Sequence, residues 1–132
     1  MKTIHRNKGF TMVELIVVVA IVTVLAGMAI PIYSSYVDKA KLTLSLSALS
    51  ILKKALDSYS MEHHDYPGTI DFSAFTDQNG VAIADASVID QIKGNVFSFD
   101  SYVVAASTYT LVAKGVDSSH TVITVTPDNI TH

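Results

Sequence analysis

The sequence predicts an α+β chain: a long N-terminal helix, membrane-suited in its first half and amphipathic in its second, packed against a small C-terminal antiparallel β-sheet. Three observations carry that reading. Residues 15–30 are apolar apart from Thr23, no Gly or Pro stands between Tyr33 and Met61, and the stretch after Ser101 is dominated by β-branched and aromatic runs. At 132 residues there is room for one small folded domain beyond the apolar run. The net charge is −3, and the nine Lys and Arg residues form no basic stripe, so a nucleic-acid surface has little support. With no cysteine, a disulfide framework, a thiolate metal site and a cysteine nucleophile are excluded.

The first element is the apolar helix, residues 10–32. At 1.5 Å per residue it spans roughly 34 Å, enough to cross a bilayer. Lys2, His5, Arg6 and Lys8 precede it, and no acidic residue appears before Glu14. This bias predicts a single pass with the N-terminus cytoplasmic and everything after Tyr33 exported. A cleaved secretory signal is the competing reading, since Gly27-Met28-Ala29 has a small-x-small pattern. Against it, signal cores run to about 7–15 residues, and the helical pattern here continues for several turns past Pro31.

Glu14 is the anomaly. A charge at mid-bilayer costs on the order of 3 kcal/mol or more, so the carboxylate calls for a partner. No Lys, Arg or His lies within a turn on its C-terminal side, and Lys8 is too near the headgroups. A new chain terminus is one candidate. If the bond between Gly9 and Phe10 is cut, Phe10 gains an α-amino group with a pKa of roughly 7.7–8.0, and a neighbouring subunit's Glu14 can pair with it. Gly9, lacking a side chain, lets extended backbone fit closely into a protease cleft.

The stretch Lys8-Gly9-Phe10-Thr11-Met12-Val13-Glu14-Leu15, the unbroken apolar helix and Ala29-Ile30-Pro31-Ile32-Tyr33 together resemble the N-terminus of type IV pilins and type II secretion pseudopilins. The resemblance covers about a quarter of the chain. It implies a pilin-like fold and a leader, residues 1–9, removed by a prepilin peptidase that also methylates the amine of Phe10. It also implies storage in the bacterial inner membrane among lipid, an inner-membrane assembly platform, and a helical homo-oligomeric filament into which Glu14 guides docking. Gly27 and Pro31 are the expected points of bending or local unwinding, because Pro removes an amide donor and Gly lowers helix stability.

The exported helix, residues 33–65, shows two apolar lines. One runs through Tyr33, Val37, Ala40, Leu44, Ala48, Ile51, Ala55 and Tyr59; the other, roughly opposite, through Leu42, Leu46, Leu49 and Leu56. Two faces predict two packing partners: the subunit's own sheet, and the helices of neighbouring subunits. Residues 42–47 alternate with period two, yet good helix formers flank them, so they are assigned to the helix.

The helix must stop at Tyr66-Pro67-Gly68. Residues 66–132 form a variable loop and sheet head. A connecting region is expected to about Asp100, with a short helix capped by Asp85, bearing Val88, Ile89 and Ile92 and stopping at Gly94. Strands are expected at 102–106, 109–113 and 121–126, the last two joined by a turn at 114–119.

Sites of chemistry are sparse. His63 and His64, beside Glu62 and Asp65, point about 100° apart on a helix and share one ion poorly. The resemblance to secretion pseudopilins raises calcium near the C-terminus, but Asp117, Asp128 and Asn129 lack the ligand spacing such a site needs. No metal or cofactor is expected. There is no nucleophile elbow and no phosphate-cradling glycine loop, so an enzyme is not expected. The leading expectation is a structural subunit of a pilus-like filament, extracellular once assembled. The alternatives are a pseudopilin of a periplasmic pseudopilus and a minor pilin acting as a membrane-anchored binding module.

Overall fold

A computed structural model describes residues 9–132; the predicted leader positions 1–8, with their positive charges, lie outside the described residues. Six elements follow: α1 (Met12–His63), α2 (Ala86–Asn95), β1 (Val96–Ala105), β2 (Thr108–Gly115), β3 (Val122–Val125) and β4 (Ile130–Thr131). The chain divides into two compact units, one ending at Tyr36 and one comprising Val37–His132.

In the first unit every described residue is exposed. The helix is long and apolar enough to cross a membrane, and none of its most apolar stretch is buried within the chain. Its apolar side chains therefore have no protein partner here, which is the pattern a hydrocarbon surround satisfies. The interrupting hydroxyl of Thr23 donates to the Val19 carbonyl at 2.7 Å, so it does not stand unpaired. Helical geometry continues through Gly27 and Pro31. Pro31 has no N–H for the carbonyl of Gly27, one turn back, so the ladder lacks one bond at this point.

The second unit is organised by the rest of α1, including residues 42–47, which are helical as expected. The buried stripe is Ser45, Ala48, Leu49, Leu52, Leu56 and Tyr59. This differs from the two expected lines. The sheet covers the surface between them, taking Ala48 and Tyr59 from one and Leu49 and Leu56 from the other. Leu52, which belongs to neither, is fully buried. Leu44 stays 52% exposed, so part of the first line remains uncovered. The helix ends at His63; His64 takes a positive φ of 66°, the left-handed turn that closes many helices, and Pro67 prevents resumption.

The connecting region is more ordered than expected. Isolated bridges join Asp71 to Thr76 and Thr76 to Ala82, and the side chains of Phe75 and Ile83 are buried in the core. Phe72 stacks on Phe99 with centroids 4.3 Å apart. α2 forms as expected, with Ile92 buried, but two details change. Asp85 receives the N–H groups of Val88 and Ile89 on its backbone carbonyl and makes no side-chain cap, and the helix passes through Gly94 to Asn95.

The sheet is antiparallel throughout, in the order β1-β2-β3-β4. β1 begins at Val96, six residues before the expected start. Register shifts at Val96/Ser98 and Phe99/Ser101 break its alternation, so its first half does not read as a strand. β2 and β3 match expectation closely. β4, only two residues long, was not expected; it pairs Thr131 with Thr124 and Ile130 with Val125. The loop expected at 114–119 lies between β2 and β3, the two strands it was expected to join.

The inner face presents Tyr109, Leu111, Ala113, Ile123 and Val125, each at most 1% exposed, to Leu49, Leu52 and Leu56 of α1. Each large apolar side chain so buried contributes about 1.5–3 kcal/mol. No disulfide assists, and packing is reinforced by polar ties. Val116 N–H donates to the buried Ser45 hydroxyl at 3.0 Å, and Ser118 donates its N–H and hydroxyl to Asp38. Asp117 receives the Thr121 N–H and hydroxyl, which fixes the loop itself.

Candidate assembly site at the helix start

The predicted processing and assembly residues are Gly9, Phe10 and Glu14, and the structure places Glu14 in the first turn of α1 and Phe10 two residues before its start. Helix starts leave several N–H groups without intrahelical acceptors. Here Thr11 precedes the first helical residue and Glu14 stands three positions on, the T-x-x-E arrangement that caps a helix reciprocally. Glu14 N–H donates to Thr11 Oγ1 at 3.2 Å, while Thr11 N–H and Thr11 Oγ1 both donate to Glu14 Oε2 at 2.9 Å. The carboxylate is thus anchored over the helix start, where the macrodipole also favours negative charge.

Both capping bonds end on one oxygen. Among the described residues Glu14 Oε1 accepts no hydrogen bond, so the capped carboxylate keeps an acceptor for a cation brought from outside. Phe10 lies immediately before the cap and is 82% exposed. Gly9 is also exposed, and a Cβ built there meets nothing within 4 Å. Among the described residues nothing calls for glycine at position 9. The same holds at Gly27.

Thr11 was missed in the sequence reading as a functional residue, although its spacing to Glu14 is a legible capping signal. The other candidates fall elsewhere. His63 closes α1 with its ring 4.3 Å from Tyr59, His64 leaves the helix, and Asp65 accepts the Tyr66 N–H. Asp117 is occupied by Thr121, and Asn129 turns its carboxamide oxygen onto the Ile130 N–H. Among the described residues, no group of three His, Cys, Asp or Glu is placed to hold a metal ion.

The comparisons with known proteins meet this geometry. The family profile described as "Prokaryotic N-terminal methylation motif" matches residues 4–30, the segment containing Gly9, Phe10, Thr11 and Glu14. Along nearly its whole length, 97%, the chain is 25% identical to type II secretion system core protein G of Escherichia coli K12, covering 87% of that protein. The chain is similar to type IV pilins and to type II secretion pseudopilins.

Two pilins complete the comparison. It is 29% identical to the type IV major pilin protein PilE1 of Neisseria gonorrhoeae over 85% of its own length and 62% of that pilin's. It is 46% identical to a fimbrial protein of Pseudomonas aeruginosa, but over only 42% of its own length and 36% of that protein's. The chain therefore spans about a third to two thirds of the length of these pilins. No solved structure matches significantly. As in the expectation, a long helix followed by a small antiparallel sheet is the pilin-like α+β arrangement.

Proposed function

We propose that this chain is a structural, non-catalytic subunit of a type IV pilus-like filament, matured by scission between Gly9 and Phe10 and methylation of the Phe10 amine. The apolar half of α1 holds the subunit in the bacterial inner membrane, N-terminus inward and head outward. An assembly platform there then passes it into a helical homopolymer. The observation that carries this reading is the capped Glu14 beside an exposed Phe10, at the head of a helix whose apolar first part, to Tyr36, has no buried residue. In the filament the free oxygen of Glu14 meets the methylated amine of a neighbouring Phe10 and sets axial register. Apolar burial between helices supplies the affinity. Gly27 and Pro31, where the ladder lacks a bond, are the place where the helix bends or unwinds during assembly.

The exposure of Gly9 supports the processing step, because the need for glycine there lies in the protease and not in the fold. Gly9→Val leaves an uncut, longer protein; normal maturation of that variant contradicts the peptidase assignment. Glu14→Ala leaves cleavage and membrane insertion intact and reduces incorporation into filaments, and undiminished filaments would remove Glu14 from assembly.

A second reading, a pseudopilin of a periplasmic pseudopilus, is favoured by the near end-to-end match to core protein G. Shearing cells separates the two. A pilus subunit is recovered in long surface filaments, and a pseudopilin stays within the envelope.

A further inference from the structure

After Thr76 the head carries Asp77-Gln78-Asn79-Gly80-Val81, a loop that none of the readings above uses. Asp77 is buried and acts as its hub. Its Oδ1 accepts the N–H groups of Asn79 at 2.8 Å and Val81 at 2.7 Å, and its Oδ2 accepts the Tyr59 hydroxyl of α1 at 2.7 Å. The Asn79 carboxamide reaches the same Oδ2 at 3.4 Å, and Gly80 N–H donates to the Asp77 carbonyl at 3.1 Å. Asn79 itself is exposed, and Gly80 has φ +80° with nothing within 4 Å of where a Cβ would stand.

An asparagine followed by glycine is the pair best suited to intramolecular amide attack, because no side chain on the following residue blocks the backbone nitrogen. We propose that Asn79–Gly80 is a site of spontaneous deamidation, held in check by Asp77 and Tyr59, and that conversion releases loop 77–81 from helix α1. The Gly80 nitrogen loses its proton to solvent base and attacks Asn79 Cγ. The Cγ–Nδ2 bond breaks, Nδ2 departs as ammonia, and a five-membered succinimide remains. Water then opens either imide carbonyl, leaving an aspartyl or isoaspartyl residue. No oxidant or reductant enters.

The fold restrains this step, since the attacking N–H and the Asn79 N–H are both tied to Asp77. The rate is therefore set by local opening of the loop, not by global unfolding. Once formed, the product cannot restore the closed loop. A donor at Asp77 Oδ2 becomes a second carboxylate beside a buried one, and like charges at that separation repel. The conversion is a one-way release of the loop from Tyr59.

The test ages the full-length chain in detergent at mildly alkaline pH and follows positions 79, 95 and 129 by peptide mass spectrometry. Asn95 and Asn129 precede Val96 and Ile130, whose branched side chains hinder the same attack, and serve as internal controls. Position 79 is expected to convert to acid while 95 and 129 remain amides, and Tyr59→Phe is expected to accelerate conversion several-fold. In Asn79→Asp, the Val81 amide is expected to lose hydrogen-exchange protection while the Leu52 amide keeps it. Retention of the amide at 79 for as long as at 95 and 129 overturns the site. An unchanged rate in Tyr59→Phe overturns the restraint, and unchanged Val81 protection overturns the release.

Discussion

The hydroxyl of Ser45, fully buried on α1, accepts the Val116 N–H at 3.0 Å and donates to the Lys41 carbonyl at 3.2 Å. Val116 opens the β2–β3 loop, so one serine in an otherwise apolar stripe fastens the sheet to the helix. Ser45→Ala leaves a buried N–H without an acceptor and is expected to cost about 1–3 kcal/mol. Urea unfolding of the head measures it, and a loss too small to detect removes the tie from the account.

Gly115, next to Val116, has a different constraint. A Cβ there stands 2.5 Å from Asp117 Oδ1 and 3.4 Å from Ser45 Oγ. Gly115→Ala therefore pushes the Asp117 carboxylate off Thr121 and is expected to destabilise the head by about 1–3 kcal/mol, in the range of overpacking. Thermal unfolding that matches the wild type would show that the loop yields freely.

The Tyr59–Asp77 bond predicts behaviour at both ends of the pH scale. The hydrogen bond to Asp77, with burial, pushes the Tyr59 phenol up to about 12. Its neutral form is the one stabilised. That stability is full below the unfolded value of roughly 10 and is lost as pH rises through the folded value. Asp77 is shifted the other way: the Tyr59 hydroxyl first, then the Val81 and Asn79 N–H groups, hold its carboxyl below the usual range against the cost of burial. Its contribution is full above the unfolded value, roughly 4, and is lost as pH falls through the lowered one. Tyr59→Phe is expected to lower Tm by several degrees at neutral pH and to flatten the alkaline limb between 10 and 12. An alkaline limb identical to the wild type contradicts the assignment.

Tyr109 makes the opposite prediction. It is 1% exposed, packs edge-on against Tyr66 at 4.8 Å, and its hydroxyl has no hydrogen-bond partner among the described residues. Deleting an unpaired buried hydroxyl removes a desolvation cost, so Tyr109→Phe is expected to leave stability unchanged or raise it by up to about 2 kcal/mol. A clear loss in denaturant unfolding means the hydroxyl is paired in solution.

Much of this was legible from the residues. The long helix, its apolar front and the position of Glu14 follow from runs and spacings within one element, and local pattern is enough to read them. β2 and β3 were legible because Tyr109-Thr110-Leu111-Val112-Ala113 and Val122-Ile123-Thr124-Val125 alternate cleanly between core and solvent. The first half of β1 was hidden by its two register shifts, and β4 by its length. The buried stripe on α1 was misplaced because two apolar lines compete, and which surface is covered depends on where the sheet lands. Ser45, a polar residue, carries no apolar signal at all. Asp77 and Asp38 were equally silent, since their partners lie 18 and 80 residues away in sequence. Thr11 was the exception: its spacing to Glu14 was there to be read.

The most direct test of the account is the intact mass and N-terminal sequence of the protein drawn from its native cell envelope. The account predicts a mature chain beginning at Phe10 and bearing a methyl group on its amine, the cation that the open oxygen of Glu14 awaits. A chain that still carries Met1, or one severed after Ala29, contradicts it.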